Sequence, residues 1–147
     1  MIQPTCLDRL ADGQRPRWRR VIDNRASYPA EYRVFLDLYR QGDHWEAHEA
    51  LEDLWRRTRD PIRRSYYQGV IQVAAACVHA DRGNMRGVVK LLTKADSRLG
   101  ACPEGYLDID VAGLRLTMSL WRKAAEAVLS GESSTLDLAG KPAIGAA

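Results

Sequence analysis

The sequence predicts an all-α protein, a compact bundle of about five helices with two antiparallel helical hairpins at its centre. Apolar residues recur at helical spacing in five stretches, each bounded by a capping residue, a proline or a glycine. The connections at Gln41-Gly42 and Arg82-Gly83-Asn84 are short enough to force antiparallel neighbours. The stretch from Tyr66 to His79 is apolar almost all round, which marks a helix in the middle of a bundle.

In chain order, residues 1–28 form a basic N-terminal arm in which six arginines surround Trp18 and Val21-Ile22. The expectation is an arm laid over the domain, with Trp18 and Ile22 as anchors and the arginines solvated. Pro29 opens the first helix, and Tyr32, Phe35, Leu36 and Tyr39 share its inner face. Asp43 followed by Glu46 resembles a capping box and starts the second helix, which is expected to run to about Arg59. Asp60-Pro61 then caps and restarts the chain for a third helix ending near Asp81. Asn84 caps a fourth, with Val88, Leu91, Leu92, Ala95 and Leu99 turned inward, and Gly100 stops it. After a crossing loop, Asp110 caps a fifth, whose inner face is Val111, Leu114, Met118, Trp121, Ala125 and Val128. Residues 29–131 therefore read as one helical domain, and residues 132–147 as a flexible C-terminal tail.

A faint internal repeat runs through the centre. Gly42-Asp43 followed by Ala47, Leu51 and Leu54 echoes Gly83-Asn84 followed by Val88, Leu92 and Ala95. The units resemble tetratricopeptide hairpins, without that family's fuller signature, and support two stacked hairpins rather than a solenoid.

Composition bounds the function classes. A chain of 147 residues with 46% hydrophobic and 28% charged residues suits one soluble domain. A net charge of +3 is too mild to indicate a nucleic-acid protein. Cys6, Cys77 and Cys102 make no paired motif and read as reduced thiols, Cys77 as a small core residue. The start lacks a signal-peptide pattern, and the apolar run from Val70 to Val78 is too short to span a bilayer. The expectation is a cytoplasmic protein that does not enter the membrane.

The chemistry concentrates between Gly42 and Trp55, where two histidines, several carboxylates and two tryptophans share one helix. At about 100° per residue, His44, His48, Leu51, Glu52 and Trp55 occupy one arc. On the third helix Gln68, Gln72, Ala75, Ala76 and His79 share another, so its polar groups line up opposite His48 and Glu52. Three readings follow. A divalent metal could use His44, His48 and Glu52, although the second histidine of a His-Glu-x-x-His zinc helix is missing. Acid-base chemistry could use His48 and Glu52 as the catalytic pair, with Glu49, Tyr67, Gln68, Gln72 and His79 around a ligand. A satisfied buried network that fixes helix register needs no ligand. The run Arg56-Arg57-x-Arg59-Asp60-Pro61-Ile62-Arg63-Arg64 suits the negative end of the second helix's dipole, and an anionic ligand or an RNA backbone is the alternative.

The string from Gly42 to Trp55, followed by Tyr67-Gln68-Gly69-Val70-Ile71-Gln72-Val73-Ala74-Ala75, His79, Gly83-Asn84 and Leu91-Leu92, resembles a known family. It is similar to the small bacterial, archaeal and plastid proteins catalogued as domain of unknown function 309. The resemblance runs from Phe35 to Leu99 and implies a compact all-helical fold, with no activity attached. The functional expectation is a binding or interaction module with a buried His/Glu/Gln cluster, for a small ligand or a protein partner. A homodimer through an exposed aromatic face is compatible with the pattern. The alternative is a small enzyme, metal-assisted or not, using His48 and Glu52.

Overall fold

The structure, a computed structural model, describes residues 28–145. The N-terminal arm with Cys6, Trp18 and Ile22 lies outside the described residues. Five α-helices follow one another: α1 (Ala30–Gln41), α2 (His44–Arg57), α3 (Pro61–Asp81), α4 (Met85–Leu99) and α5 (Val111–Leu129). Short 3-10 turns occupy Tyr106–Asp108 and Leu138–Gly140. Among the described residues there is no strand, and each helix packs against the next in the chain. The all-α bundle is the fold the periodicity predicts.

The two central turns share one chemistry. Gly42 and Gly83 adopt left-handed backbones (φ 88° and 73°) that a side chain would strain. In the first, Gly42 N–H bonds Tyr39 O (3.1 Å) and Asp43 N–H bonds Leu38 O (2.9 Å). In the second, Gly83 N–H bonds Ala80 O (3.0 Å) and Asn84 N–H bonds His79 O (2.9 Å). Both are Schellman closures. The repeat extends to the cores, because Ala47, Leu51 and Leu54 are buried at the positions that Val88, Leu92 and Ala95 occupy in α4.

Three predicted caps form: Asp60 accepts from Arg63 N–H (2.8 Å), Asn84 from Gly87 N–H (3.1 Å) and Asp110 from Gly113 N–H (2.9 Å). The capping box at Asp43 does not, since its side chain makes no cap bond. Its backbone N–H closes α1 on Leu38 O (2.9 Å), which leaves no free N–H there for Glu46 to bond in return. Helix α2 also stops at Arg57, two residues short of the expected end, where Thr58 turns extended (ψ 127°) ahead of Asp60-Pro61.

Helix α3 is the axis of the bundle. Tyr66, Tyr67, Val70, Val73, Ala74 and Cys77 are buried against Tyr32, Phe35 and Tyr39 of α1, and the Tyr32 and Tyr66 hydroxyls bond each other at 2.7 Å. Helix α2 is antiparallel to α3: Arg64 stacks on Trp55 at one end, while His44 faces Asp81 at the other. Helix α4 is antiparallel to α3 on its other flank. Ser65 Oγ donates to Arg98 O (2.9 Å) at one end, and His79 meets Asn84 at the other. Consequently α2 and α4 run in the same direction on either side of α3.

Residues after Gly131, read from sequence as a flexible tail, fold back over the α1–α2 corner as far as they are described. Trp121 Nε1 donates to Asp137 O (3.0 Å), Asp110 N–H to Gly145 O (3.1 Å), and Ile144 is buried in the core.

Gly69 fixes how closely α3 and α4 approach. A Cβ there would lie 2.8 Å from Cγ and 2.9 Å from Cδ2 of Leu99, a fully buried side chain. Gly69→Ala should therefore destabilise the protein by about 1–3 kcal/mol, as overpacking in a filled core does, and thermal denaturation would show a lower Tm. An unchanged Tm would mean that the two helices separate freely.

Candidate functional site: the outer face of α2, α3 and α4

The face of α2 that carries His48 is built by its own periodicity. Burial of His44, Ala47, Leu51 and Leu54 leaves His48, Glu52 and Trp55 partly exposed along the edge toward α3. Trp45 is half exposed and its ring stacks on the imidazole of His48, with centroids 5.6 Å apart and planes 10° from parallel. On α3, burial of the aromatic and aliphatic face leaves Gln68, Gln72, Ala75 and His79 as the partly exposed stripe. The antiparallel register places His48 and Glu52 alongside the Gln68–Ala75 portion of that stripe. On the far side α4 lies alongside, with Gly87 against the His79 ring and Arg98 beside Gly69. The result is a shallow valley with α3 as its floor.

His48 and Glu52 are neighbours without being a bonded pair. Nδ1 of His48 lies 3.9 Å from Oε2 of Glu52, beyond hydrogen-bond distance, and Glu52 instead accepts from Arg56 at 2.8 Å. Three buried polar atoms beside this valley make no hydrogen bond: Nδ1 of His48, Oε1 of Gln72 and Nε1 of Trp55. A buried polar atom left unpaired costs about 1–3 kcal/mol, so each of these atoms, on a partly exposed residue, is one that water or a bound group satisfies.

The other expected site residues go elsewhere. His44 is buried at 8% exposure in a separate cluster under the C-terminal segment. Lys141 Nζ lies 2.6 Å from its Nε2 and 3.1 Å from Tyr39 O, and Tyr39 in turn donates its hydroxyl to Pro142 O. Since an ammonium only donates, Nε2 accepts and the proton sits on Nδ1, directed toward Asp81 Oδ2 at 3.5 Å. His79 accepts at Nδ1 from the Asn84 side-chain amide (3.0 Å) and holds the α3–α4 turn. Tyr67 points into the aromatic core beside Tyr32, where burial pushes its hydroxyl up to about 12. Glu49 is exposed on the outward side of α2.

The three expected metal ligands are therefore not gathered. Residues eight apart on a helix are separated by about 12 Å and drift around its axis, and His44 turns to Lys141 and Asp81. Among the described residues no group of three or more His, Cys, Asp or Glu could hold a metal ion. Cys77 is a core residue, as its apolar setting suggested. It is 1% exposed and its thiol is pushed up to about 11 by burial.

Three arginines of the basic corner are engaged internally. Arg56 bonds Glu52 (2.8 Å), Arg57 bonds Glu31 (2.8 Å), and Arg64 donates to Trp55 O (3.0 Å) while stacking on its ring. The polar cluster at His44 and Lys141 was missed from sequence. Its only linear signal was Lys141-Pro142-Ala143-Ile144, a cation and an apolar residue inside an otherwise small-residue stretch.

Comparison with known proteins matches residues 32–91 to the family described as domain of unknown function (DUF309). Over 69 residues the chain is 33% identical to "Uncharacterized protein YpuF" of Bacillus subtilis, covering 46% of this chain and 40% of that one. Over 74 residues it is 27% identical to an "Uncharacterized protein" of Aquifex aeolicus, covering 50% of this chain and 22% of the relative. The matched stretch thus spans less than half the length of either relative. The family match, residues 32–91, contains all of α2 and α3, so the valley's floor and its α2 wall lie within it. No helix among the described residues is long and apolar enough to cross a membrane.

The His44 cluster has a pH signature. Burial, and then the Lys141 charge, hold the imidazole below its ordinary value near 6.5, outweighing the opposite pull of Asp81 and Asp43. The ring is neutral when folded, so its contribution to stability is complete above that value and is lost as pH falls below it. Denaturant midpoints should drop between about pH 7 and pH 5, and His44→Gln should flatten that drop. An unaltered pH profile in the variant would contradict the assignment.

Proposed function

We propose that the DUF309 segment is a binding module that receives its partner across the valley between α2 and α4. The observation that carries this reading is the trio of unpaired polar atoms, Nδ1 of His48, Oε1 of Gln72 and Nε1 of Trp55, beside a half-exposed tryptophan. Exposed aromatic rings and buried groups awaiting a hydrogen bond are what recognition surfaces contain, because a partner that completes the bonds also removes the penalty. Trp45 supplies rigid apolar area, and its stacking on His48 holds both rings in place before a partner arrives.

The enzyme reading receives less support. A general base prepared by its carboxylate needs that carboxylate within bonding reach, and here Glu52 is engaged by Arg56. The satisfied-network reading is opposed by the same unpaired atoms, since a network that fixes register has to close on itself.

These readings differ in what Gln72→Leu does to the isolated protein. In a binding surface, removing a buried unpaired oxygen should leave stability unchanged or raise it by up to about 1 kcal/mol. In a closed network the same change should lower stability by about 1–3 kcal/mol. Thermal denaturation of dilute protein, followed by tryptophan fluorescence, separates the two. A clear loss of Tm would overturn the binding reading.

A further inference from the structure

The valley's two walls carry opposite charge at matching levels. Helix α4 presents Arg86, Lys90, Lys94 and Arg98 at four-residue intervals, all exposed. None of the four makes an ion pair with a described residue, and the helix's one carboxylate, Asp96, bonds Arg115 on the other side (2.8 Å). Like charges one turn apart repel, so this stripe destabilises the isolated helix. Helix α2 is acidic over the first part of the same span: Glu46 and Glu49 are exposed and make no ion pair among the described residues, whereas Glu52 and Asp53 pair with Arg56 (2.8 Å) and Arg57 (3.6 Å) of their own helix.

The internal repeat puts these charges in register. The echo that aligns Ala47, Leu51 and Leu54 with Val88, Leu92 and Ala95 also aligns Trp45 with Arg86, Glu49 with Lys90 and Asp53 with Lys94. Because α2 and α4 run in the same direction beside α3, aligned residues lie at the same height. Both Glu49 and Lys90 also point directly away from the core, as the burial patterns of their helices require.

We infer that the partner received by the valley is a second copy of this chain. A two-fold axis lying along the outer face of α3 would set α2 of each copy on α4 of the other, in the same direction and at the same height. Each Glu49 then meets the partner's Lys90, the one aligned pair that points straight out from both cores. The contact is isologous, so every attraction occurs twice. Gln72 meets its own mate near the axis, where a side-chain amide offers both a donor and an acceptor to the unpaired oxygen. A two-fold perpendicular to the helices would instead oppose α2 to α2 and α4 to α4, like charge to like. This inference rests on the binding reading and adds to it the identity of the partner.

The test is sedimentation of the full chain with Glu49→Lys, Lys90→Glu and the double variant, each checked for folding by circular dichroism. The wild type should self-associate, more weakly as salt screens the pairs. Each single variant should weaken association roughly tenfold, and the double variant should recover to within about threefold of wild type. A wild type that stays monomeric to about 100 μM, or a double variant no better than the singles, would overturn the inference. A labelled oligonucleotide that binds wild type, is lost with Lys90→Glu and is indifferent to Glu49→Lys would also overturn it, assigning the stripe to a polyanion. Monomeric protein combined with an undiminished Tm for Gln72→Leu would remove the dimer and leave the binding module standing.

Discussion

The structure depends on the burial of α3. Ten of its residues are buried, aromatic at its start and small and aliphatic beyond, and α1, α2 and α4 pack on it while α5 packs on α4. Burial on that scale leaves a single narrow stripe for its polar side chains, so Gln68, Gln72 and His79 fall in line without further instruction. The stripe then dictates what α2 and α4 can place beside it. Two identical Schellman turns bring those helices down either flank in the same direction, which makes the outer face a valley with matched walls.

The second polar centre closes the opposite side of the fold. His44 and Lys141 meet almost a hundred residues apart in sequence, at the corner where α1 gives way to α2. An imidazole buried there needs a donor for one nitrogen and a carboxylate near the other, and Lys141 and Asp81 supply them. The returning C-terminal segment thereby gains a polar anchor at Lys141 and an apolar one at Ile144. The two histidines of α2 are one turn apart and yet belong to different chemistry: one tied into the core, the other stacked under Trp45 with an unpaired nitrogen.

Much of this was legible in the sequence, because helix boundaries and inner faces follow from local rules. Asp60, Asn84 and Asp110 cap where their chemistry says they should, and the inner faces of α1, α4 and α5 follow the spacing, with Leu36, Leu91 and Val128 at their half-buried edges and Met85 added to α4. Asp43 closes α1 through its backbone N–H as Asn84 closes α3, yet only Asn84 also caps with its side chain, a difference that spacing alone does not encode. The metal triad fails for the same kind of reason. Spacing places His44, His48 and Glu52 on one arc, but Lys141 and Asp81, both distant in sequence, claim the first of them. Long-range pairs of that sort leave no periodic trace. The stripe on α3 was readable, whereas the absence of a bond between His48 and Glu52 required the rotamers that Trp45 and Arg56 impose.

The central claim is that His48 and Gln72 wait unpaired for a partner. The most direct measurement is the 15N spectrum of the His48 imidazole and the Gln72 side-chain amide, recorded in dilute protein and again under conditions that favour association. The account predicts a His48 Nδ1 signal without the shift of a hydrogen bond to Glu52 in dilute protein. It also predicts that the resonances of both residues move together as the partner engages. A His48–Glu52 hydrogen bond already present in dilute protein, with both residues unmoved on association, would contradict it.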